Sequence, residues 1–280
     1  MFSKKYTKLN NKQYLYNTYV VKKKSLTDIQ REVNCKSSNS VRQALIYHSI
    51  PVRNVSEGLC ISNEKLVLDL DIINGSLLGD GFLSVWNKDS DKSYPVFQKK
   101  NKFKTHIQYV AKQLLPNTYK ECIKAEVCRC NNKQLTYWRF NTKVQQSLSS
   151  LYGLWYPGGV KHIPNDIMPT SKLLLHWFLD DGSTSWRHRK HKHHTKTTVR
   201  LTFSSQSFIP EEQEILRDKV NKTFNLHMSL RKTNSGTGYV LAIPETKTNM
   251  FFDIIGPPPV PELAYKWKRR PNERETQARL

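Results

Sequence analysis

The sequence predicts an α+β protein with two related halves behind a small N-terminal helical domain. The main observation is a unit that occurs twice, an apolar run ending in Asp-Gly, first as Ile73–Gly81 and then as Leu174–Gly182. Aligned on that ending, Asp80 matches Asp181 about 100 residues later, roughly the length of one small domain half. A unit that recurs once indicates duplication, because solenoids need three or more shorter repeats. Short strand patterns and an amphipathic helix follow each unit, which favours mixed structure in both halves.

The N-terminal segment, residues 1–56, has the pattern of a small helix-turn-helix domain. Ser25 is a typical N-cap for a helix that carries Leu26, Ile29 and Val33 on one face. We expect the next helix over Ser38–His48, with an inward face of Val41, Leu45 and Ile46. Its exposed residues are of types that reach base edges and phosphates, namely Ser38, Asn39, Ser40, Arg42 and Gln43. A helical hairpin that only packs against the rest of the chain is the alternative.

The two repeated runs predict buried helices over Leu66–Leu78 and Leu173–Leu179, each ended by a glycine in the left-handed conformation. Gly75 and Gly79 lie four residues apart on one face of the first helix, which indicates close approach of another helix backbone. The second helix has larger side chains at the matching positions, His176 and Asp180. Close approach would therefore depend mainly on the first helix.

The Asp-Gly endings predict a metal site. Asp80 and Asp181 each follow a helix C-terminus, whose partial negative charge disfavours a carboxylate unless a cation binds. Side by side, the two ends would gather two carboxylates and the backbone carbonyls of Gly79 and Asp180. These are hard oxygen ligands, which suit Mg²⁺ (or Mn²⁺). Each Asp-Gly pair could instead be a surface turn after a core helix, but the matched context favours the metal site.

The first half continues with strand and helix patterns. We expect strands over Phe82–Trp86 and Tyr94–Gln98, a helix over Lys104–Leu115, two strands within Cys122–Phe140 and a helix over Val144–Leu154. The second strand leads into a lysine-rich stretch that suits a DNA groove, with Lys99, Lys100, Lys102 and Lys104. The alternative is a solvated sheet edge guarded by lysine against aggregation.

The second half follows a connector, Tyr156–Thr170, that is rich in Gly and Pro. We expect a strand over Thr197–Ser204, a helix over Pro210–Phe224 with Ile215, Leu216 and Val220 inward, a hairpin of Met228–Arg231 with Tyr239–Ile243, and a last helix over Lys247–Ile255. The loop at 187–194 is very basic, and phosphate contact is favoured there over a transition-metal site. The predicted DNA-contacting residues of this half are Arg187, Arg189, Lys190, Lys192, Lys196, Arg200, Arg231 and Lys232.

Composition indicates a polyanion as partner. The chain has 280 residues, 45 Lys+Arg against 23 Asp+Glu, and a formal net charge of +22. Such an excess suits nucleic acid. A basic ribosome-associated protein is the alternative, and a membrane-surface protein is a weaker one. There is no run of 18 apolar residues, no secretory h-region and an odd number of cysteines, so we expect an intracellular, unsecreted protein with reduced thiols, whether cytoplasmic, nucleoid-associated or in an organelle matrix.

The paired runs resemble the double signature of the single-chain LAGLIDADG homing endonucleases. The resemblance extends from Glu57 to Trp267 and includes Trp138–Thr142, Leu151–Pro157 and Ala264–Lys266. It implies a pseudo-two-fold pair of αββαββα halves, residues 57–158 and 159–267, with antiparallel sheets that straddle duplex DNA. Residues 268–280 would then form a basic tail.

The resemblance also implies residue roles. Asp80 and Asp181 would be catalytic and bind metal, Gln98 would be a polar neighbour of the site, and Gln206 would be its counterpart. Lys143 and Lys247 are possible basic partners of the cleavage centre. The implied function is a monomeric, intron-encoded, site-specific nuclease that hydrolyses both strands of DNA. The alternatives are an RNA-binding intron maturase on the same fold, with intron RNA as partner, and a transcription factor that has lost cleavage.

Overall fold

The computed structural model describes residues 4–53, 64–85, 94–130, 133–190, 195–233, 236 and 238–268. The chain divides into two compact units. Unit 1 comprises Met1–Lys65, Val85–Pro95 and Lys143–Gln146, and unit 2 comprises the ranges Leu66–Ser84, Val96–Thr142 and Ser147–Leu280. The predicted boundaries at residues 56, 158 and 267 stay predictions. Every helix in the described part of the chain is too short or too polar to cross a membrane.

Unit 1 contains short helices around a small apolar core. They are a 3₁₀ segment Lys4–Asn10, α1 (Lys12–Leu15) continuing into π-helical turns at Tyr16–Val21, α2 (Leu26–Val33) and α3 (Ser38–Tyr47). The predicted cap of α2 is present as a capping box. The Ser25 hydroxyl accepts a hydrogen bond from the Asp28 N–H at 3.0 Å, and the Asp28 carboxylate accepts one from the Ser25 N–H at 3.3 Å. This local signal fixes the start of α2.

Unit 2 repeats one order of elements. The first half contains α4 (Leu70–Leu78), β1 (Gly81–Ser84), β2 (Val96–Asn101), α5 (Lys104–Leu114), β3 (Ile123–Cys130), β4 (Lys133–Asn141) and α6 (Ser149–Trp155). The second contains α7 (Ser171–Asp181), β5 (Gly182–Lys190), β6 (Thr195–Phe203), α8 (Pro210–Phe224), β7 (Ser229–Lys232), β8 (Tyr239–Ile243) and α9 (Thr248–Ile255). Short 3₁₀ segments lie at Gln146–Leu148, Pro157–Gly159, Glu245–Lys247 and Pro261–Lys266. Each half is thus αββαββα, as predicted.

The two sheets share one topology. Their strand orders are β1-β2-β4-β3 and β5-β6-β8-β7, and all pairings are antiparallel. One apolar core runs beneath both sheets and includes the paired helices α4 and α7. Trp155 is fully buried and donates its indole N–H to the Asn74 side chain of α4 at 2.9 Å. Trp177 of α7 lies 4.1 Å from the Phe203 ring of β6, centroid to centroid. A buried tryptophan therefore contacts each central helix, through a hydrogen bond at α4 and ring packing at α7.

Some details of the helices differ from the predictions. Helix α4 begins at Leu70 and not at Leu66, because the Asp69 side chain caps it by accepting a hydrogen bond from the Ile72 N–H at 3.2 Å. Ile46 is 52% exposed, since it lies about 100° around α3 from the buried Leu45. Ile215 is 40% exposed on α8 for the same reason, next to the buried Leu216.

Glycines let α4 and α7 approach each other closely. A Cβ on Gly75 would lie 2.5 Å from the Leu173 carbonyl oxygen and 2.8 Å from the His176 Cβ. A Cβ on Gly79 would lie 2.5 Å from the Asp180 Cβ. The small residues of α4 therefore make room for the two larger side chains of α7, and close approach depends on α4 as predicted.

The glycines at the helix ends have a different role from the predicted one. Gly79 has φ −113° and Gly182 has φ −70°, so neither is left-handed. The chain needs glycine for space instead. A Cβ on Gly81 would lie 2.8 Å from the Ser76 carbonyl oxygen, and one on Gly182 would lie 2.5 Å from the Phe178 carbonyl oxygen. Because glycine has no Cβ, the chain can pass directly from helix into strand at both positions.

We expect Gly75→Ala to destabilise the fold by about 1–3 kcal/mol, because the added methyl would force the two backbones apart. Gly153→Ala is the matched control. Gly153 also lies in a helix, but a Cβ there meets nothing within 4 Å, so alanine should stabilise by about 0.5–1 kcal/mol. Urea unfolding of both variants measures the difference, and equal effects would contradict the close-packing account.

Candidate active site

The motif carboxylates lie together where α4 and α7 end. Asp80 is exposed and stands between the end of α4 and the start of β1, and Asp181 is the last residue of α7. Burial, followed by the negative charges of Asp80 and Asp180, raises the pKa of Asp181 to about 7. The structure therefore brings the two predicted catalytic residues within electrostatic reach of each other. Like charges held this close favour the binding of a cation.

A buried ion pair lies beneath these carboxylates. Lys99 is fully buried, pairs with Asp180 and donates a hydrogen bond to the Ser76 hydroxyl at 3.0 Å. The His106 Nε2 atom is 3.5 Å from the other carboxylate oxygen of Asp180. Burial raises the pKa of Asp180 to about 6, and the positive charge of Lys99 opposes that rise. The prediction that Lys99 contacts DNA is therefore wrong, because the alternation of side chains along β2 turns Lys99 toward the helices.

Two lysines occupy the C-terminal ends of the motif helices. Lys161 donates to the carbonyl oxygens of Gly81 at 2.9 Å and Gly79 at 3.4 Å. Lys266 donates to the carbonyls of the last turn of α7, at Phe178 (3.2 Å), Leu179 (2.8 Å) and Asp180 (3.0 Å). Cations at these positions balance the negative ends of the helix dipoles. Burial lowers the pKa of Lys161 to about 8, and burial also lowers that of Lys266, while the nearby carboxylates oppose both shifts.

An open cleft of about 400 Å³ leads to Asp80. Its lining combines lysines with aromatic side chains and includes Lys100, Lys102, Tyr137, Tyr265 and Lys266. Within the described residues, no group of three or more His, Cys, Asp or Glu side chains is arranged to hold a metal ion.

Comparison with known proteins identifies the family. The sequence model of the LAGLIDADG DNA endonuclease family matches residues 70–251, well over half of the chain. The chain belongs to the LAGLIDADG DNA endonuclease family. The matched residues include both motif helices and the elements between them, up to α9.

Similar proteins include two that are named as endonucleases. The probable intron-encoded endonuclease 1 of Wickerhamomyces canadensis is 26% identical over 200 residues, covering 69% of this chain and 80% of that protein. DNA endonuclease I-ChuI of Chlamydomonas applanata is 24% identical over 210 residues, covering 70% and 92%. The uncharacterized protein MJ1098 of Methanocaldococcus jannaschii is 23% identical over 244 residues, covering 87% and 90%. The solved structure of the homing endonuclease I-WcaI bound to its DNA recognition sequence shares the fold, with a TM-score of 0.62 and 21% identity over 79% of this chain and 95% of that one.

The two LAGLIDADG halves differ at the predicted glutamines. Gly81 pairs with Lys99, and the matching Gly182 pairs with Phe203, so Lys99 and Phe203 are equivalent positions. The residue equivalent to Gln98 is therefore Thr202. Gln206 lies three residues beyond Phe203, in an exposed turn, and is therefore not the counterpart of Gln98. Gln98 itself points away from the motif helices and donates to the Ser84 hydroxyl at 2.8 Å. The catalytic role of either glutamine stays a prediction.

The predicted DNA-contacting residues of this LAGLIDADG protein fall into several groups. On α3, Asn39, Arg42 and Gln43 are exposed, and Ser38 and Ser40 are half-buried. Lys100 is half-buried, and Lys102, Lys104, Arg231 and Lys232 are exposed. Arg200 and Arg231 line a cleft of about 170 Å³ with Glu245. The predicted basic loop is instead largely strand, since Arg187, Arg189 and Lys190 belong to β5, and Lys196 belongs to β6. The side chains of these four residues, and all of Lys192, lie outside the described part of the chain.

The capping lysines of the LAGLIDADG helices were not predicted from the sequence. The predicted basic partners were Lys143 and Lys247, and Lys247 lies at the end of a 3₁₀ turn with its Nζ 3.8 Å from the Met250 sulfur. A signal was present in the spacing. Lys161 and Lys266 follow the motif aspartates of their halves by nearly equal distances (161 − 80 = 81 and 266 − 181 = 85). Lys161 lies in an irregular segment and Lys266 ends a short 3₁₀ segment, each after the last α-helix of its half, where periodicity gives no guidance.

Proposed function

We propose that this protein is a homing-type endonuclease that recognises a long DNA site and cuts both strands in a divalent-metal-dependent reaction. The observation that carries the proposal is the pair of carboxylates, Asp80 and Asp181, at the ends of two packed LAGLIDADG helices, each end capped by a lysine. Two of the relatives described above are named as endonucleases. The maturase alternative has no comparable support.

The oxygen atoms at the helix ends fit a hard divalent ion such as Mg²⁺ or Mn²⁺. Asp80 and Asp181 supply carboxylates whose mutual repulsion a cation would relieve. The carboxylate of Asp180 already pairs with Lys99, so only its backbone carbonyl is a candidate ligand. That carbonyl and the one of Gly79 each accept a lysine hydrogen bond, and a carbonyl oxygen has a second lone pair for a further contact. When bound, a divalent ion would supply Lewis-acid stabilisation of the attacking and leaving oxygens.

The lysines would contribute positive charge beside the scissile phosphates. Lys161 and Lys266 are held by backbone carbonyls, so their ammonium groups are fixed before DNA arrives. Fixed charges of this kind stabilise the charge that develops on a phosphate without reorganising during the reaction. Each motif aspartate thus has one lysine at the end of its own helix, which would give one similar centre for each DNA strand.

Duplex DNA would lie against the outer faces of the sheets. Lys100, Lys102 and Lys104 on the first half, with Arg231 and Lys232 on the second, would contact phosphates and base edges there. Helix α3 of unit 1 would add contacts through Arg42 and Gln43. I-WcaI, which shares the fold, was solved bound to its DNA recognition sequence.

The test is a cleavage selection from a pool of duplexes with a randomised segment about 30 base pairs long, in buffer with Mg²⁺. We expect the protein to enrich one long consensus site, to leave double-strand ends there, and to stop cutting when EDTA removes the metal. Binding to the selected site should weaken steeply with salt, because many phosphate contacts release counterions. If no site is enriched while the protein promotes splicing of an intron RNA, the maturase function replaces this one.

A further inference from the structure

Glu126 is an exception to the charge pattern of the sheets. The strands of unit 2, over the ranges given above, contain a single acidic residue, Glu126 of β3. The strands of the first sheet, to which Glu126 belongs, carry six basic residues, namely Lys99, Lys100, Lys124, Arg129, Lys133 and Arg139. A carboxylate on a face that binds DNA repels phosphates and lowers affinity. Its presence there requires a specific reason.

The strand register places Glu126 among cations. Lys100 of β2 pairs with Arg139 of β4, which pairs with Lys124 of β3, so these three side chains cross the sheet in one row. Glu126 follows Lys124 by two residues and therefore shares its face. One carboxylate oxygen of Glu126 lies 3.2 Å from the Lys100 Nζ, and the other lies 3.0 Å from an Arg139 guanidinium nitrogen.

The same cluster contacts an aromatic ring and remains partly open to solvent. The Lys100 Nζ lies 4.8 Å from the centre of the Tyr137 ring. The side chains of Lys100, Glu126 and Arg139 keep exposures of 31%, 37% and 40%, so DNA can reach part of each, while the Glu126 oxygen that faces Arg139 is buried. Ion pairs with this exposure contribute at most about 1 kcal/mol to folding. Fold stability is therefore a weak reason for a carboxylate at this position.

A carboxylate at this position would affect DNA recognition directly. In the free protein it engages Lys100 and Arg139, so random phosphates must compete with Glu126 for both cations. A cognate base pair removes that conflict in two ways. The N4 amino group of cytosine donates to a glutamate, and the O6 and N7 atoms of guanine accept from an arginine. A repulsive group that only the correct partner satisfies increases specificity at the expense of affinity.

We propose that Glu126 is a specificity-determining residue that, together with Arg139, reads a G·C base pair in the major groove and reduces binding to unrelated DNA. This inference rests on the proposed function. The contribution of Glu126 is local, because it touches only the base pairs under its part of β3 and β4.

The test compares the wild type with Glu126→Gln in the randomised-duplex selection, and in binding to an unrelated 30-base-pair duplex over a range of salt. The wild type should prefer G·C at one or two adjacent positions by about 5- to 150-fold, the usual range for a good base contact. In Glu126→Gln we expect that preference to fall to about threefold or less, with the other positions unchanged. Binding to the unrelated duplex should tighten. The slope of log binding constant against log salt concentration should steepen by about 1 to 2, since Lys100 and Arg139 both become free to contact phosphates.

Glu214→Gln is the matched control, because Glu214 is an exposed glutamate of α8 that also pairs with an arginine, Arg217, at 3.5 Å. It should leave the consensus and the salt slope as in the wild type. An unchanged consensus in Glu126→Gln, or an equal loss of preference at every position, would overturn the inference. If the wild type itself enriches no site, the proposed function fails instead, so the two failures are distinguishable.

Discussion

Asp80→Asn and Asp181→Asn should each lower the rate of DNA cleavage by a factor on the order of 10³ or more. Each change replaces a carboxylate that would hold the divalent ion by a neutral amide. Several kcal/mol of transition-state stabilisation are then lost, and each 1.36 kcal/mol is a factor of ten in rate. DNA binding without metal should be retained or should tighten, because one negative charge leaves a site that faces phosphates. Single-turnover cleavage and gel-shift binding on the selected site measure the two effects separately.

The matched control for these variants is Asp218→Asn. Asp218 is an exposed aspartate on α8 that pairs with Arg217 at 2.8 Å, and it has no place in the proposed site. It should cut at the wild-type rate. Wild-type cleavage by Asp80→Asn or by Asp181→Asn would remove the central pair from the mechanism, whereas loss of DNA binding along with cleavage would indicate misfolding.

Features of the fold that local sequence determines were predictable. The Ser25 capping box, the apolar runs of the motif helices and the extent of α8 each depend on residues within one or two turns. The close contact of α4 with α7 was also predictable, because Gly75 and Gly79 have no other evident use inside a soluble helix.

Features that depend on pairing between distant segments were not predictable in the same way. To predict whether Gln98 or Lys99 faces the motif helices, one must know which residue of β2 pairs with Gly81. A shift of one residue in that pairing exchanges the two faces of the strand. The exposed Ile46 and Ile215 were misassigned because an apolar side chain beside a buried position does not reveal its own burial. The roles of Lys161 and Lys266 depend on where the segments after the last α-helix of each half return to the ends of α4 and α7.

Lys99→Met should be the most destabilising single change near the site, by about 3–5 kcal/mol, because it leaves the Asp180 carboxylate buried without its cation. The Ser76 hydroxyl would also lose its lysine hydrogen bond. Methionine has nearly the length of lysine, so the loss reports charge and not volume. Urea unfolding followed by tryptophan fluorescence measures it, since Trp155 and Trp177 are both fully buried in unit 2.

The double variant Lys99→Met/Asp180→Asn tests whether the Lys99–Asp180 ion pair positions Asp181 or only compensates for its own burial. Removing both charges with side chains of similar size often restores stability, since neither partner is then left as an uncompensated buried charge. We expect the double variant to recover most of the stability lost by Lys99→Met, and a loss equal to the sum of the two single changes would contradict this coupling. Recovery of stability with cleavage still slow would mean that the ion pair holds the last turn of α7, and hence Asp181, in place. Recovery of both would mean that the pair only compensates for its own burial between the helices.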